Sequence, residues 1–323
     1  MNRQLPERSI SIGYNPKHGQ KFFDLISAYD KYIKEYFFGV SHGLDGSTMD
    51  TAKEFKELSK IDTYGYPANL LVNNVGECMY LWDLIEQAKN IVNLKGITLI
   101  EPEYGPLIKE RYPELEINVS VRFWDRNKFP HPLYRLDWLQ KQCMAEVINV
   151  SGAYHYNDHV LMKEIQDRGM KVKIIVNEEC LINRSFNYTE LPGCIQYECC
   201  PNVVNRWVCF SECINVLKQH PWMMFSDVTL YKEQLDYYSI DVFKISGRTR
   251  SLEILTRLLN YWTNDDKTTI MLNNRFYIDV SGSDRYQVFC EYAKYRSTKC
   301  NGHCASCGVC KHVYEELFLK NPY

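Results

Sequence analysis

The sequence predicts an α/β fold, a (β/α)8 barrel of the TIM type with a cysteine-rich insertion after strand seven and a cysteine-rich C-terminal tail. Short apolar, β-branched runs alternate with segments of helical period between residues 8 and 249, and there are eight such runs. Near-continuous apolar runs are what a parallel strand buried on both faces requires. Eight strands are the number that closes such a barrel, and an open doubly wound sheet is the alternative.

The eight runs mostly recur every 20 to 35 residues or so, which leaves room for the helical crossover that a parallel pair needs. The predicted strands are Ser9–Tyr14, Glu35–Val40, Ala68–Asn73, Gly96–Glu101, Glu116–Phe123, Glu146–Ser151, Lys171–Asn177 and Val242–Ser246. Residues Met79–Ile91 and His159–Arg168 place apolar side chains three and four apart, with charges on the other face, which is typical of amphipathic helices. A further helix over Ser251–Thr263 is expected to close the barrel.

The predicted domains are a barrel over residues 1–264 and a C-terminal extension over residues 265–323. The barrel includes an insertion at residues 178–241, about twice as long as the usual repeat, which holds six of the 13 cysteines. Loops that follow the strands of such a barrel build its active site. We therefore expect these six cysteines to lie above the catalytic face.

Composition argues against some classes of protein. The net charge of −2 gives no overall attraction to nucleic acid, although a local basic patch stays open. The N-terminus lacks the apolar core of a signal peptide, and no stretch approaches the roughly 18 apolar residues of a membrane span. These features predict a cytoplasmic protein without a membrane partner. Cysteines in a reducing compartment are poor candidates for disulfides and better candidates for metal ligands.

The tail contains four closely spaced cysteines in a C-x3-C-x2-C-x2-C pattern: Cys300, Cys304, Cys307 and Cys310. Small residues between them allow the backbone to fold around one metal centre. Ferredoxin-type runs use the same spacings in another order, so the pattern predicts an iron–sulfur cluster of the 4Fe-4S kind. Zinc is the alternative in this site, although zinc sites usually come as two separated C-x2-C pairs.

The insertion is less regular. It holds Cys180, Cys194, Cys199, Cys200, Cys209 and Cys213. A second cluster could be drawn from these six, but spacing does not choose among them, and a loop with a few structural thiols is the alternative. Cys143 is predicted to be a packing residue on an apolar helical face.

Polar residues at the ends of the predicted strands are the catalytic candidates. Lys244 and Arg248 are four residues apart on the last strand and its loop, and such a pair of cations suits a ligand with a carboxylate or phosphate. Glu178 and Arg122 also follow strands. Carboxylates here could do acid–base work, but Glu103 and Glu178 are equally consistent with a structural role beside a helix N-cap or in a salt bridge.

Three segments resemble the U32 "peptidase" family. They are DVFKISGRTRS at residues 241–251, VNEECL at residues 176–181 and EINVSVRFW at residues 116–124. The resemblance runs from about Ser9 to Leu259. It implies a barrel whose better understood members bind a four-iron cluster through loop cysteines. Those members support oxygen-independent hydroxylation of transfer RNA, ribosomal RNA or quinone precursors, with prephenate implicated as the oxygen source in several.

The resemblance also suggests which residues act. Cys180 matches the first cluster cysteine, and Lys244 and Arg248 match the basic motif. Relatives often carry a second cysteine where this chain has Arg184, so the other ligands must come from later in the loop. The order of preference for them is Cys213, Cys200, Cys194 and Cys209.

The expected function is therefore that of an iron–sulfur protein, an oxygen-independent hydroxylase or related redox enzyme acting on a small molecule, RNA or peptide. An anionic cosubstrate such as prephenate and a heterodimer with a related barrel protein are the expected partners. A peptidase is one alternative, although the sequence contains neither HExxH nor G-x-S-x-G. A non-catalytic iron–sulfur subunit is another.

Overall fold

The fold is a closed barrel of eight parallel strands whose order around the barrel follows the sequence. The computed structural model describes residues 9–40, 58, 63–72, 78–121, 123, 135–150, 159–176, 240–245, 251–263, 269–271, 277–279, 291–292 and 308–316. The predicted α/β barrel is confirmed. The cysteine-rich insertion and most of the tail lie outside the described residues, so those two parts of the prediction stay predictions.

Each barrel strand falls on a predicted run. The strands are β1 Ile10–Gly13, β2 Ile33–Val40, β3 Pro67–Val72, β4 Asn93–Leu99, β5 Glu116–Val119, β6 Val147–Val150, β7 Lys171–Ile175 and β8 Val242–Ile245. The barrel closes where β1 pairs with β8, with Ser11 in register with Lys244. Two short antiparallel strands follow, β9 Thr269–Met271 and β10 Tyr277–Asp279.

Helices follow most of the strands. They are α1 Gln20–Ser27, α2 Cys78–Ile91, α3 Gly105–Arg111, α4 Leu136–Lys141, α5 His159–Asp167, α6 Leu252–Thr263 and α7 Val309–Tyr314, with single 3-10 turns at Pro16–His18 and Pro102–Tyr104. The three helices predicted from periodicity are α2, α5 and α6, and all three are confirmed to within a residue or two. In the described part of the chain, no helix combines the length and apolar character needed to cross a membrane.

An apolar layer between the strands and the helices forms the main core. Tyr36 of β2 is fully buried against Phe23 of α1, with ring centroids 5.3 Å apart and planes at 90°. On the other side of the closure, Phe243 of β8 packs on Trp262 of α6 at 5.2 Å. Both side chains point outward, toward the helices. Successive residues of a strand point to opposite faces. The intervening positions therefore face the interior of the barrel.

One close approach depends on a glycine. A Cβ atom on Gly105, the first residue of α3, would lie 2.0 Å from the carbonyl oxygen of Cys143. The Cys143 side chain is 1% exposed, so its predicted packing role is confirmed, although it lies two residues beyond α4 and not on a helical face. Burial raises the pKa of its thiol to about 12.

Candidate functional site

The interior of the barrel is lined by polar side chains. Every barrel strand contributes a buried polar residue: Ser11, Glu35, Asn69, Thr98, Asn118, Asn149, Lys173 and Lys244. Several of them contact residues on strands that are not neighbours, such as Glu35 of β2 with Lys173 of β7. In a closed barrel such contacts can only cross the interior. The candidate site is therefore built on a polar interior.

A buried ion pair forms the centre of this interior. The Lys173 ammonium donates to Glu35 Oε1 at 2.6 Å and to Asn118 Oδ1 at 2.6 Å, and the Ser11 hydroxyl donates to the same Glu35 oxygen at 2.7 Å. The two charged side chains are 1% and 3% exposed. Burial works to raise the pKa of Glu35, but the positive charges of Lys173 and Lys34 outweigh it and hold that pKa below its ordinary value. Burial also lowers the pKa of the Lys173 ammonium, against the attraction of Glu35. The pair is neutral as a whole.

A second buried contact joins β3 and β4. The Thr98 hydroxyl donates to Asn69 Oδ1 at 2.6 Å. Asn69 lies over Gly96, where a Cβ atom would come within 2.7 Å of Asn69 Nδ2 and 3.2 Å of Asn118 Nδ2. Glycine at position 96 thus makes room for two amide side chains in the interior.

Ion pairs cover the N-terminal end of the barrel. Glu116, the first residue of β5, pairs with Lys34 at 3.3 Å and with Lys171, the first residue of β7, at 2.7 Å. Burial works to raise the pKa of Glu116, but Lys34, Lys173 and Lys171 together lower it to about 2. In barrels of this class the N-terminal end serves stability.

Lys244 lies at the opposite end. It is in register with Ile175, the last residue of β7, and its carbonyl accepts a 3.0 Å hydrogen bond from the Val176 amide. The chain beyond Val176 leads directly into the predicted segment with Glu178 and Cys180. Of the predicted catalytic residues, Lys244 is the one that the structure describes, and it stands at the end where active sites form.

The Lys244 ammonium contacts an amide oxygen and an aromatic ring. It donates to Asn149 Oδ1 at 3.3 Å and lies 4.4 Å from the centroid of the Phe37 ring. The Asn149 amide is itself fixed, since its Nδ2 donates to the carbonyl of Val119 at 2.8 Å. The Lys244 residue is 7% exposed, whereas Lys173 is 1% exposed.

Most of the predicted metal and catalytic residues lie outside the described part of the chain. They are Arg122, Glu178, Arg248, Cys180, Cys194, Cys200, Cys213, Cys300, Cys304 and Cys307. Cys310 falls in α7, just after Gly308, whose φ of 66° makes a left-handed turn. Within the described ranges no three His, Cys, Asp or Glu side chains are grouped to hold a metal. The predicted clusters are therefore not tested by this geometry.

Sequence reasoning missed most of the polar interior. Glu35, Asn149 and Lys173 fall within the predicted apolar runs, and a strand buried on both faces predicts apolar side chains there, whereas the interior of this barrel is polar. Alternation was the available signal. In the β7 run KVKII, the lysines at positions 171 and 173 share one face of the strand.

The comparisons with known proteins give one distant relative to set beside this geometry. No family model matches the sequence. A protein of Methanocaldococcus jannaschii named as an uncharacterized protease is 26% identical over 271 residues, which cover 76% of this chain and 72% of that protein. This similarity agrees with the resemblance to a protease-like family, and by itself it does not assign the chain to one.

Proposed function

We propose that the chain is an iron–sulfur enzyme of the U32-like kind, an oxygen-independent hydroxylase or related redox enzyme, with its active site at the C-terminal mouth of the barrel. The position of Lys244 carries the proposal. This residue of β8 lies beside the last residue of β7. Its backbone carbonyl accepts a hydrogen bond from Val176, just before the cysteine-rich insertion.

Lys244 supplies the positive charge for an anionic cosubstrate, prephenate being the candidate that the family resemblance suggests. The Glu35–Lys173 pair below it is neutral as a whole, so it adds no net charge to this region. Arg248 follows Lys244 by four residues and would provide a second cation with a bidentate fork for a carboxylate. Glu178 and Arg122 complete the proposed catalytic set.

The insertion supplies the proposed cluster ligands Cys180, Cys194, Cys200 and Cys213. Four residues of chain span at most about 14 Å, so Cys180 remains within that reach of the Val176 backbone. An iron–sulfur cluster would supply electron transfer. In the tail, Cys300, Cys304, Cys307 and Cys310 would hold a second cluster or a zinc ion, and would thereby fill all four ligand positions themselves.

Anaerobic purification followed by iron, sulfide and EPR measurements tests the proposal. We expect iron and sulfide in the purified chain, with part of the iron lost in Cys180→Ser and part in Cys307→Ser. The matched control is Cys143→Ala, because Cys143 is a buried packing residue and its loss should leave the iron content unchanged. Full occupancy by zinc, with no iron, would contradict the proposal.

A peptidase is the second candidate, and the name of the relative from Methanocaldococcus jannaschii favours it. Cleavage of a peptide library by the anaerobically purified chain, abolished by Glu178→Gln, would support this candidate over the first. A non-catalytic subunit would instead copurify with a second barrel protein and show no turnover of its own.

A further inference from the structure

We propose that Asn149 is a positioning residue that fixes the Lys244 ammonium at the barrel mouth, with the Phe37 ring as the second side of the cradle. The inference rests on the anion-binding role proposed above for Lys244 and deepens it. It concerns how a flexible side chain is held where a ligand would meet it.

The orientation of the Asn149 amide is set by the backbone. A carbonyl oxygen can only accept, so the Val119 carbonyl selects the NH2 end of the amide, which donates to it at 2.8 Å. The oxygen end is therefore turned toward Lys244, whose ammonium lies 3.3 Å away. Asn149 is completely buried, which leaves its side chain little freedom to turn.

Phe37 approaches the same ammonium from another direction. Asn149 belongs to β6 and Phe37 to β2, so the two contacts reach Lys244 of β8 from opposite directions around the barrel. A cation 4.4 Å from a ring centroid is within the range of a favourable cation–π interaction. A lysine already held in this way loses less conformational freedom when an anion binds.

Lys173 and Glu35 are charged groups of the described interior that lie beside this cradle. Lys173 is in register with Asn149 on the neighbouring strand, and its ammonium is paired with Glu35. The Asn149 oxygen accepts from Lys244, two strands away, across the strand that carries Lys173. Glu35 offsets the charge of Lys173, so the repulsion between the two lysines is weakened.

Lysine side-chain NMR on the full chain tests this arrangement. The Lys244 resonance is identified by its loss in Lys244→Met and is then titrated with pH. In Asn149→Leu the pKa of Lys244 should fall by about one unit, because a hydrogen bond to the charged form is removed. In Asn149→Asp it should rise, because a carboxylate replaces the amide. Thr98→Val removes a buried hydroxyl elsewhere in the interior and should leave the Lys244 pKa unchanged.

An unchanged Lys244 pKa in folded Asn149→Leu or folded Asn149→Asp would overturn the inference. The unsubstituted chain gives a third readout, since the Phe37 ring should move the Lys244 ε-proton resonances upfield and Phe37→Leu should remove that shift. Lys244 ε-protons at the positions of an exposed lysine would also overturn it. Titration with inorganic phosphate keeps this inference separate from the proposed function. The dissociation constant of phosphate, read from the Lys244 resonance, should be about tenfold higher in Asn149→Leu than in the unsubstituted chain. If the Lys244 pKa changes in the residue-149 variants but phosphate leaves the Lys244 resonance unchanged, the anion-binding role is refuted and the positioning by Asn149 still holds.

Discussion

Replacing Lys173 with methionine should destabilise the barrel severely, because it leaves a carboxylate buried without its cation. Glu35 is 2% exposed, and its Oε1 would keep the Ser11 hydroxyl but lose the ammonium at 2.6 Å. Asn118 Oδ1 would lose its donor at the same time. Methionine has nearly the length of lysine, so the change removes the charge and leaves little empty volume.

The expected loss in the free energy of unfolding is about 3–5 kcal/mol, the range for breaking a buried ion pair from one side. With a urea m-value of about 3 kcal/mol/M, this loss lowers the unfolding midpoint by about 1–1.7 M. The double variant Glu35→Gln/Lys173→Met has no buried charge at this position. It should recover about 2 kcal/mol of the loss, because the costly part is the unpaired carboxylate.

Urea unfolding followed by circular dichroism measures these values. Lys163→Met is the matched control, since Lys163 is 72% exposed on α5 and pairs with Asp167 at the surface. Its free energy of unfolding should stay within about 0.5 kcal/mol of that of the unsubstituted chain. A double variant no more stable than Lys173→Met would refute the reasoning, because the destabilisation would then have come from lost packing and not from charge.

Three further predictions follow from the described contacts. Glu116→Gln should cost about 3 kcal/mol near pH 7 and almost nothing near pH 2, because a carboxylate whose pKa falls from 4.5 to about 2 stabilises the fold above pH 4.5 and loses that effect as the pH falls toward 2. Urea midpoints across pH check this, with Glu253→Gln at an exposed carboxylate as the control; a Glu116→Gln effect independent of pH would contradict it. Gly105→Ala should cost about 3 kcal/mol, more than Gly19→Ala, which adds backbone strain without a clash; equal melting temperatures would argue against the clash. Cys143 should resist iodoacetamide at pH 8 until urea unfolds the chain, because burial raises its pKa to about 12, and rapid native labelling seen by mass spectrometry would oppose this.

The barrel could be predicted because its outer layer leaves a strong record in the sequence. Runs such as Lys171–Asn177 and Val242–Ser246 are rich in β-branched residues. The amphipathic pattern of α2 marks the crossover from β3 to β4. The helices pack against one face of each strand, so that face has to be apolar whatever the interior contains. The count of eight strands then followed from local patterns alone.

The polar interior could not be read in the same way, because it depends on contacts between distant residues. Glu35 and Lys173 are 138 residues apart in the sequence, and the residues around each one do not indicate its partner. Lys244 is predictable from its place near the end of a strand and from a family motif, whereas Asn149 and Phe37 meet it only because the barrel closes. These contacts depend on which strands face each other across the closed barrel, and local sequence patterns do not specify that.

The described contacts separate two kinds of interior lysine, and this difference argues for a division of roles along the barrel axis. Lys173 contacts a carboxylate and an amide deep in the interior, and the ion pairs of Glu116 cover the end below it. Lys244 contacts an amide and an aromatic ring beside the end of β7, where the insertion departs. A buried lysine paired with a carboxylate mainly affects stability, whereas the position of Lys244 beside the C-terminal end of β7 suits the ligand site proposed for it. The same residue type therefore serves the fold on β7 and the proposed chemistry on β8.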